Sequence, residues 1–337
     1  MGKFDIGKMK IYDPDVQKVP FAAYMKELEK QKFNGFVFFK FYRDPVGNSG
    51  SNPTWGDLYE VIKGKEHYKG NCLYKEMDYD EPYASYCEKL WSILGKRVLG
   101  GKTRVPEITL VKPEGSSECG ALSHIILNND TEDMADMKKM LFFKLERQEQ
   151  EKLKYLVDYQ DLIDCVRIQV NNEENFKELE EQIVNTMLLD AVTNNADRHA
   201  KNWALVRNKA TNHYSLGLYD HGVSFLDMVS DRPNATSTSN GRSMWTTTYI
   251  KTDPNVVYRG MGDTGDKIVK YLFNRYPEIS EKFYETFCRE LPGFEQDLKD
   301  APSDINTKRI MSNLLIKKRV MEKIIDRQRG GGEEYYD

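Results

Sequence analysis

Asp197, Asn202 and Asp220 are the side chains best placed for chemistry. Asp197 and Asn202 lie in the polar run NNADRHAKN, and Asp220 lies in LYDHGVSF a short way on. All three are oxygen donors on segments of irregular character beside strand-like stretches. Carboxylate and amide oxygens are the ligands that a hard cation such as Mg²⁺ takes. A carboxylate free of the metal can also accept a hydroxyl proton.

The spacing Asp197-x-x-x-x-Asn202 equals that of the Asp and Asn in the protein-kinase catalytic loop. There the Asp takes the acceptor proton and the Asn binds metal. Asp220-His221-Gly222 stands where that pattern has Asp-Phe-Gly, whose Asp binds metal as well. A phosphoryl-transfer site further needs a cation on the nucleotide phosphates. Lys75, in the strand-like CLYKEM, is the candidate, and Glu88 on the following helix is the carboxylate to orient it. The stretch Gly47-Asn48-Ser49-Gly50 has the composition of a loop whose backbone N–H groups cradle phosphate. Each part follows the last in the required order.

NNADRHAKN followed by LYDHGVSF resembles the bacterial HipA-type Ser/Thr kinases. It is similar also to the phosphatidylinositol 3-/4-kinase group, which shares a D-R-H-x-x-N element and a later D-x-G. YKEM with YCEKLWSILG resembles the Lys and helix Glu of the HipA-like N-lobe. The resemblance spans residues 45–225 and implies a two-lobed kinase-like fold, ATP with Mg²⁺, and a protein hydroxyl as acceptor. It implies Asp197 as catalytic carboxylate, with His199 at the His of the D-R-H element orienting the loop. Asn202 and Asp220 become the metal ligands, and Lys75, with Glu88, the phosphate contact. Gly47, Ser49 and Gly50 stand at the phosphate loop, without a family glycine pattern.

These residues need elements to hold them. FNGFVFFKFY (33–42), Asp57–Ile62, Cys72–Met77, Val105–Val111 and Ala121–Leu127 have the β-branched and aromatic content of strands. Lys63–Asn71 is polar and reads as a turn. Between Pro82 and Leu99, Tyr83, Tyr86, Leu90, Trp91, Leu94 and Val98 recur at helical spacing. Asn128–Asp133 offers a helix cap, and Leu141, Leu145, Leu153, Leu156 and Val157 are compatible with helix. Glu173–Ala191 is a strong helix, with Phe176, Leu179, Ile183, Met187 and Leu188 on one face. Trp203–Val206 and Tyr214–Tyr219 predict a hairpin. Residues 226–266 are loop-like, helices return from Ile268, and 330–337 form an acidic tail expected to be disordered. The expectation is an α+β chain with a β-rich N-lobe of 1–130 carrying one helix and an α-rich C-lobe of 131–329. A cleft is the default ligand site.

The 337 residues are 39% hydrophobic, enough for a sizeable core, and the net charge of −4 disfavours nucleic acid as the main partner. The five cysteines, Cys72, Cys87, Cys119, Cys165 and Cys288, show neither zinc-site spacing nor a disulfide framework. They fit free thiols in a cytoplasmic protein, with signal-less secretion as an effector left open. No apolar run has the length of a membrane span. The expected partner is a protein substrate, its identity and the oligomeric state being open. Three other readings of the same residues stay open: a lipid kinase, a nucleotide-binding pseudokinase, and a nucleotidyl transferase. Ser49 and Ser51, and Ser237 to Ser239, are candidate autophosphorylation sites.

Overall fold

A computed structural model describes residues 4, 6–12, 23, 26, 37–41, 54–62, 65–75, 83–115, 119–124, 126–128, 130–137, 140–141, 157–229, 250–252, 263–303 and 305–330. The fold is mixed α+β, with a β-sheet part first and a helical part after it. The chain divides into two compact units, Met1–Ser92 with Pro106–Ile126, and Ile93–Val105 with Leu127–Asp337.

In the first unit six strands close into a barrel: β1 (Gly7–Tyr12), β2 (Val37–Phe41), β3 (Thr54–Ile62), β4 (Lys65–Lys75), β5 (Ile108–Pro113) and β6 (Gly120–His124). The order is β1-β2-β3-β4-β6-β5, and β1 closes the ring by pairing in parallel with both β2 and β5. Alternation along the strands turns Met9, Leu58, Cys72, Tyr74, Val111 and Leu122 into one buried cluster. The turn expected over Lys63–Asn71 is instead most of the eleven-residue strand β4. His67, Tyr68 and Lys69 are exposed, so no hydrophobic alternation marks them. Their backbones still pair with β3, and ladder pairing needs no apolar side chain. The register shifts between Leu58 and Tyr59 of β3, opposite Gly70, whose φ of 120° is open only to glycine.

Helix α1 (Ala84–Val98) follows, and its Cys87, Leu90, Trp91 and Leu94 are all fully buried. Within the first unit Ser92 Oγ donates to Pro106 O at 2.6 Å and Lys89 Nζ to Ile108 O. These bonds fasten α1 to the start of β5. The segment after α1 belongs to the second unit because its backbone is stitched to a strand there. Arg104 N donates to Leu216 O at 2.7 Å, and Leu218 N donates to Arg104 O at 3.0 Å.

The second unit holds β7 (Glu132–Asp136), β8 (Val157–Asp158), α2 (Tyr159–Val170), α3 (Glu173–Thr193), β9 (Trp203–Asn208), β10 (Tyr214–Leu218) and α4 (Leu226–Val229). It continues with β11 (Ile250–Lys251), α5 (Gly265–Arg275), α6 (Pro277–Asp297) and α7 (Thr307–Gln328). The expected hairpin is β9–β10, and β7 adds to it to make a three-stranded sheet. Among the described residues, Asn128–Asp133 therefore caps no helix. Asn128 Oδ1 accepts from Asp130 N at 3.1 Å, closing a turn that leads into β7. Val157, expected in a helix, pairs with Ile250 in the short sheet β8–β11. Two of the stretches read as loop are ordered elements, α4 and β11. Leu145, Leu153, Leu156 and the tail 331–337 lie outside the described residues.

Helix α3 is the spine of this unit. Asn172 caps it, its Oδ1 accepting from Asn175 N at 2.8 Å, and Glu173 and Glu174 meet the positive end of the helix dipole. From Ile183 to Thr193 all residues but Asn185 are buried. Helices α2, α5, α6 and α7 pack on α3, and Phe225 stacks on Phe294 with ring centroids 6.2 Å apart. All five cysteines are free thiols. Among the described residues no helix is long and apolar enough to cross a membrane.

Candidate active site

Lys75 is the last residue of β4 and pairs in register with Ala121 of β6. A Cβ at Gly120 would lie 2.8 Å from Lys75 O, so only glycine lets β6 approach the end of β4 so closely. Lys75 Nζ donates to Glu88 Oε2 of α1 at 3.2 Å, and the side chains are 20% and 2% exposed. The helix thus brings its one buried carboxylate to the strand lysine, within the first unit. Such a pair holds the ammonium in one place while part of it faces solvent. Gly47, Ser49 and Gly50, the expected phosphate loop, lie outside the described residues.

In the second unit α3 ends where the polar run begins. Asn194 takes the left-handed conformation, φ 55°, that ends many helices. Asn195 N then reaches back to Asp190 O at 2.9 Å, and Asn195 Oδ1 accepts from Asp197 N at 3.2 Å. The main chain of Asp197 is therefore held by the Asn195 side chain, while its carboxylate is 35% exposed. His199 Nε2 lies 3.7 Å from Asp197 Oδ1. Its main chain closes the loop, N donating to Asp197 O at 2.8 Å and O accepting from Asn202 N at 2.9 Å. One turn of 3₁₀-helix, Ala200–Asn202, follows.

Asn202 is buried, and its Nδ2 donates to Asp197 O at 2.7 Å. With the nitrogen so engaged, the amide is fixed in place and its oxygen is the atom left to accept. Asn202 O accepts from Tyr219 N at 3.4 Å, which brings Asp220 beside Asn202. Asp220 itself has φ 61°, an uncommon conformation for a residue other than glycine. The turn after it is fixed by Ser224 N to His221 O at 3.0 Å and Phe225 N to Thr193 O at 2.7 Å. The chain beyond Asp220 thus returns to the end of α3. The sequence places Asp197, Asn202 and Asp220 on two separate stretches, and the hydrogen bonds join them.

What joins them most tightly is a residue the sequence reading left without a role. Arg198 is fully buried. Its Nε and Nη2 form a fork with the Asp190 carboxylate at 2.7 and 3.1 Å. Nη2 also donates to His221 Nδ1 at 2.7 Å, and Nη1 donates to Asn202 O at 3.2 Å and Tyr219 O at 3.0 Å. A guanidinium has five N–H donors, and these five bonds engage them all. A buried cation is tolerable because its carboxylate and its hydrogen bonds are complete. Asn195 Nδ2 adds a further bond to Asp190 Oδ1 at 2.8 Å. The available signal was Asp190 itself, an acid among the apolar residues Met187, Leu188, Leu189, Ala191 and Val192, which calls for a buried cation.

The geometry is thus a lysine–glutamate pair in one unit and, in the other, a carboxylate, an amide and a second carboxylate gathered around a buried arginine. No protein-family profile matches the chain, and no curated protein sequence does. Among solved structures, the Helicobacter pylori proinflammatory kinase CtkA aligns with a TM-score of 0.59 at 13% identity, over 85% of this chain and 96% of that one. The fold is a kinase fold. HipA in the Shewanella oneidensis MR-1 complex of HipA, HipB and operator DNA aligns with a TM-score of 0.43 at 12% identity, over 92% of this chain and 73% of that one. At 13% identity the likeness to CtkA is one of fold.

Proposed function

We propose that this kinase-fold chain is an ATP- and Mg²⁺-dependent phosphotransferase acting on protein Ser/Thr hydroxyls, its own among them. The observation that carries the reading is the disposition of Asp197, Asn202 and Asp220 about Arg198. One partly exposed carboxylate sits in a hydrogen-bonded loop, and a second follows a residue bonded to an amide whose nitrogen is already engaged. In this reading Asp197 orients the acceptor hydroxyl and takes its proton as the oxygen bonds to the γ-phosphorus. The bond from that phosphorus to the bridging oxygen breaks, and ADP leaves. Lys75, steadied by Glu88, contacts the nucleotide phosphates. Asn202 Oδ1 and the Asp220 carboxylate are hard oxygen donors that fit Mg²⁺ and would hold it. When bound, the metal neutralises charge on the phosphates. His199 orients the loop through its backbone bonds.

Parallel incubations with γ-labelled and α-labelled ATP, with Asp197→Asn as control, test the reading. Transfer of the γ label to protein, lost in a folded Asp197→Asn, is the expected result. Removing a general base costs about 10²–10⁴-fold. Transfer of the α label would make the enzyme a nucleotidyl transferase, and γ transfer only to phosphoinositide vesicles would make it a lipid kinase. No transfer at all would leave a nucleotide-binding module. Intact mass and peptide mapping of the wild-type product identify any self-modified hydroxyl.

A further inference from the structure

The buried seam of α7 repeats at helical spacing through Ile310, Leu314, Lys317, Met321 and Ile325. A lysine in the middle of an apolar stripe is an expensive choice, yet Lys317 is wholly buried. Its Nζ donates to Val192 O at 3.0 Å and to Asn194 Oδ1. Val192 O is among the last carbonyls of α3, which its own helix leaves unpaired. The last turn of α3 carries no basic residue, so Lys317 supplies from another helix the positive charge that a helix C-terminus favours. Asn194 is the left-handed residue at which the chain leaves α3 for Asn195 and Asp197. The same helix grips the far side of the motif pair: Asn306, its N-cap, donates its N–H to Val229 O at 3.0 Å, at the end of α4. One C-terminal helix thus holds both the chain that leads into Asp197 and the chain that leads away from Asp220.

We propose that Lys317 is a positioning residue for the reaction: its buried ammonium, bonded to Val192 O and Asn194 Oδ1, fixes the exit of α3 and through Asn194 and Asn195 the place of Asp197. This rests on the phosphotransferase reading. Lys317 touches neither nucleotide nor acceptor and acts on the geometry of the loop. Loss of its hold lowers turnover and leaves nucleotide affinity in place, because the Lys75–Glu88 pair is untouched. Small displacements of a reacting group are costly, on the order of 10²-fold for about 1 Å.

The test uses Lys317→Met, of similar length without charge, and Asn194→Gly, which keeps the left-handed conformation and deletes the side-chain acceptor. Lys317→Met is expected to lower kcat about 10–100-fold, with KM for ATP within about twofold of wild type and a cooperative melt retained. The double variant should be no slower than Lys317→Met alone, since both changes cut one path. A folded Lys317→Met that keeps wild-type kcat, or that loses activity through KM alone, overturns the proposal. If Lys317→Met does not fold, Asn194→Gly decides: lower kcat at unchanged KM supports it, and unchanged kcat refutes it. Hydrogen exchange of residues 190–203 gives a readout free of turnover. Faster exchange in Asn194→Gly is expected even where the wild type transfers no phosphate, and wild-type exchange there overturns the positioning role independently of the kinase reading.

Discussion

Replacing Asp190 by Asn tests whether the buried arginine organises the site. The change alters almost no volume, so its cost is electrostatic. In the wild type the carboxylate accepts three bonds, from Arg198 Nε, Arg198 Nη2 and Asn195 Nδ2. An amide offers one oxygen to these donors and turns its own N–H groups toward the rest. It also leaves the Arg198 charge buried without its anion. Breaking a buried pair from one side costs about 3–5 kcal/mol. A domain of roughly 200 residues shifts its melting temperature by about 2–4 °C per kcal/mol, so Asp190→Asn should melt about 6–20 °C lower. Urea unfolding should show the midpoint falling at constant slope. Turnover should fall too, because the loosened Arg198 also donates to Asn202 O and Tyr219 O. Asp190→Leu with Arg198→Met should recover part of the stability, since no charge is then left buried, and none of the activity. A loss below about 1 kcal/mol in Asp190→Asn, with turnover intact, would refute the argument.

Asp220→Ala should abolish the Mg²⁺-dependent part of ATP affinity, read by calorimetry with and without the metal, while metal-free binding persists. Gly293→Ala should change sign with its background. The new Cβ would lie 2.6 Å from Arg97 Nη1, whose guanidinium is held by Asp297 at 2.8 and 3.1 Å. In wild type the ion pair must shift, so the helix-propensity gain of about 1 kcal/mol is lost or reversed; with Arg97→Met present, Gly293→Ala should stabilise in urea titrations. Burial first, and then the nearby Asp57 carboxylate, push the Cys72 thiol up to about 12. Its folded value thus lies above its unfolded one. Its contribution is whole below about pH 8.5 and fades as pH rises toward the folded value, and a thiol reagent at pH 8 should label Cys72 only as fast as the protein unfolds.

Local patterns carried much of the reading. NNADRHAKN and LYDHGVSF stood out because the spacing from Asp197 to Asn202, with Asp220-His221-Gly222 after it, equals that of a kinase catalytic loop and its later Asp-x-Gly. The β9–β10 hairpin between them was legible as two strand-like stretches joined by the polar turn RNKATNH. Helix α3 declared itself through Phe176, Leu179, Ile183, Met187 and Leu188, and α1 through a similar stripe. The order of Lys75 before Glu88 suggested their pairing, and their 3.2 Å contact is a tertiary fact.

Tertiary structure decided the rest, because the deciding contacts join residues far apart in the chain. The first part of β4, residues 65–71, looked like a turn since it is polar, and only its pairing with β3 makes it strand. Closure of the barrel depends on β1 meeting β5 about a hundred residues away, which no local periodicity encodes. Ile93–Val105 goes with the second unit through Arg104's bonds to β10. From the sequence alone Arg198 and Lys317 had no role. Their burial follows from distant partners, Asp190 with His221 for one and Val192 with Asn194 for the other. A charge can be buried only where the fold brings every donor an acceptor, and that is a property of the packed chain rather than of any short stretch of it.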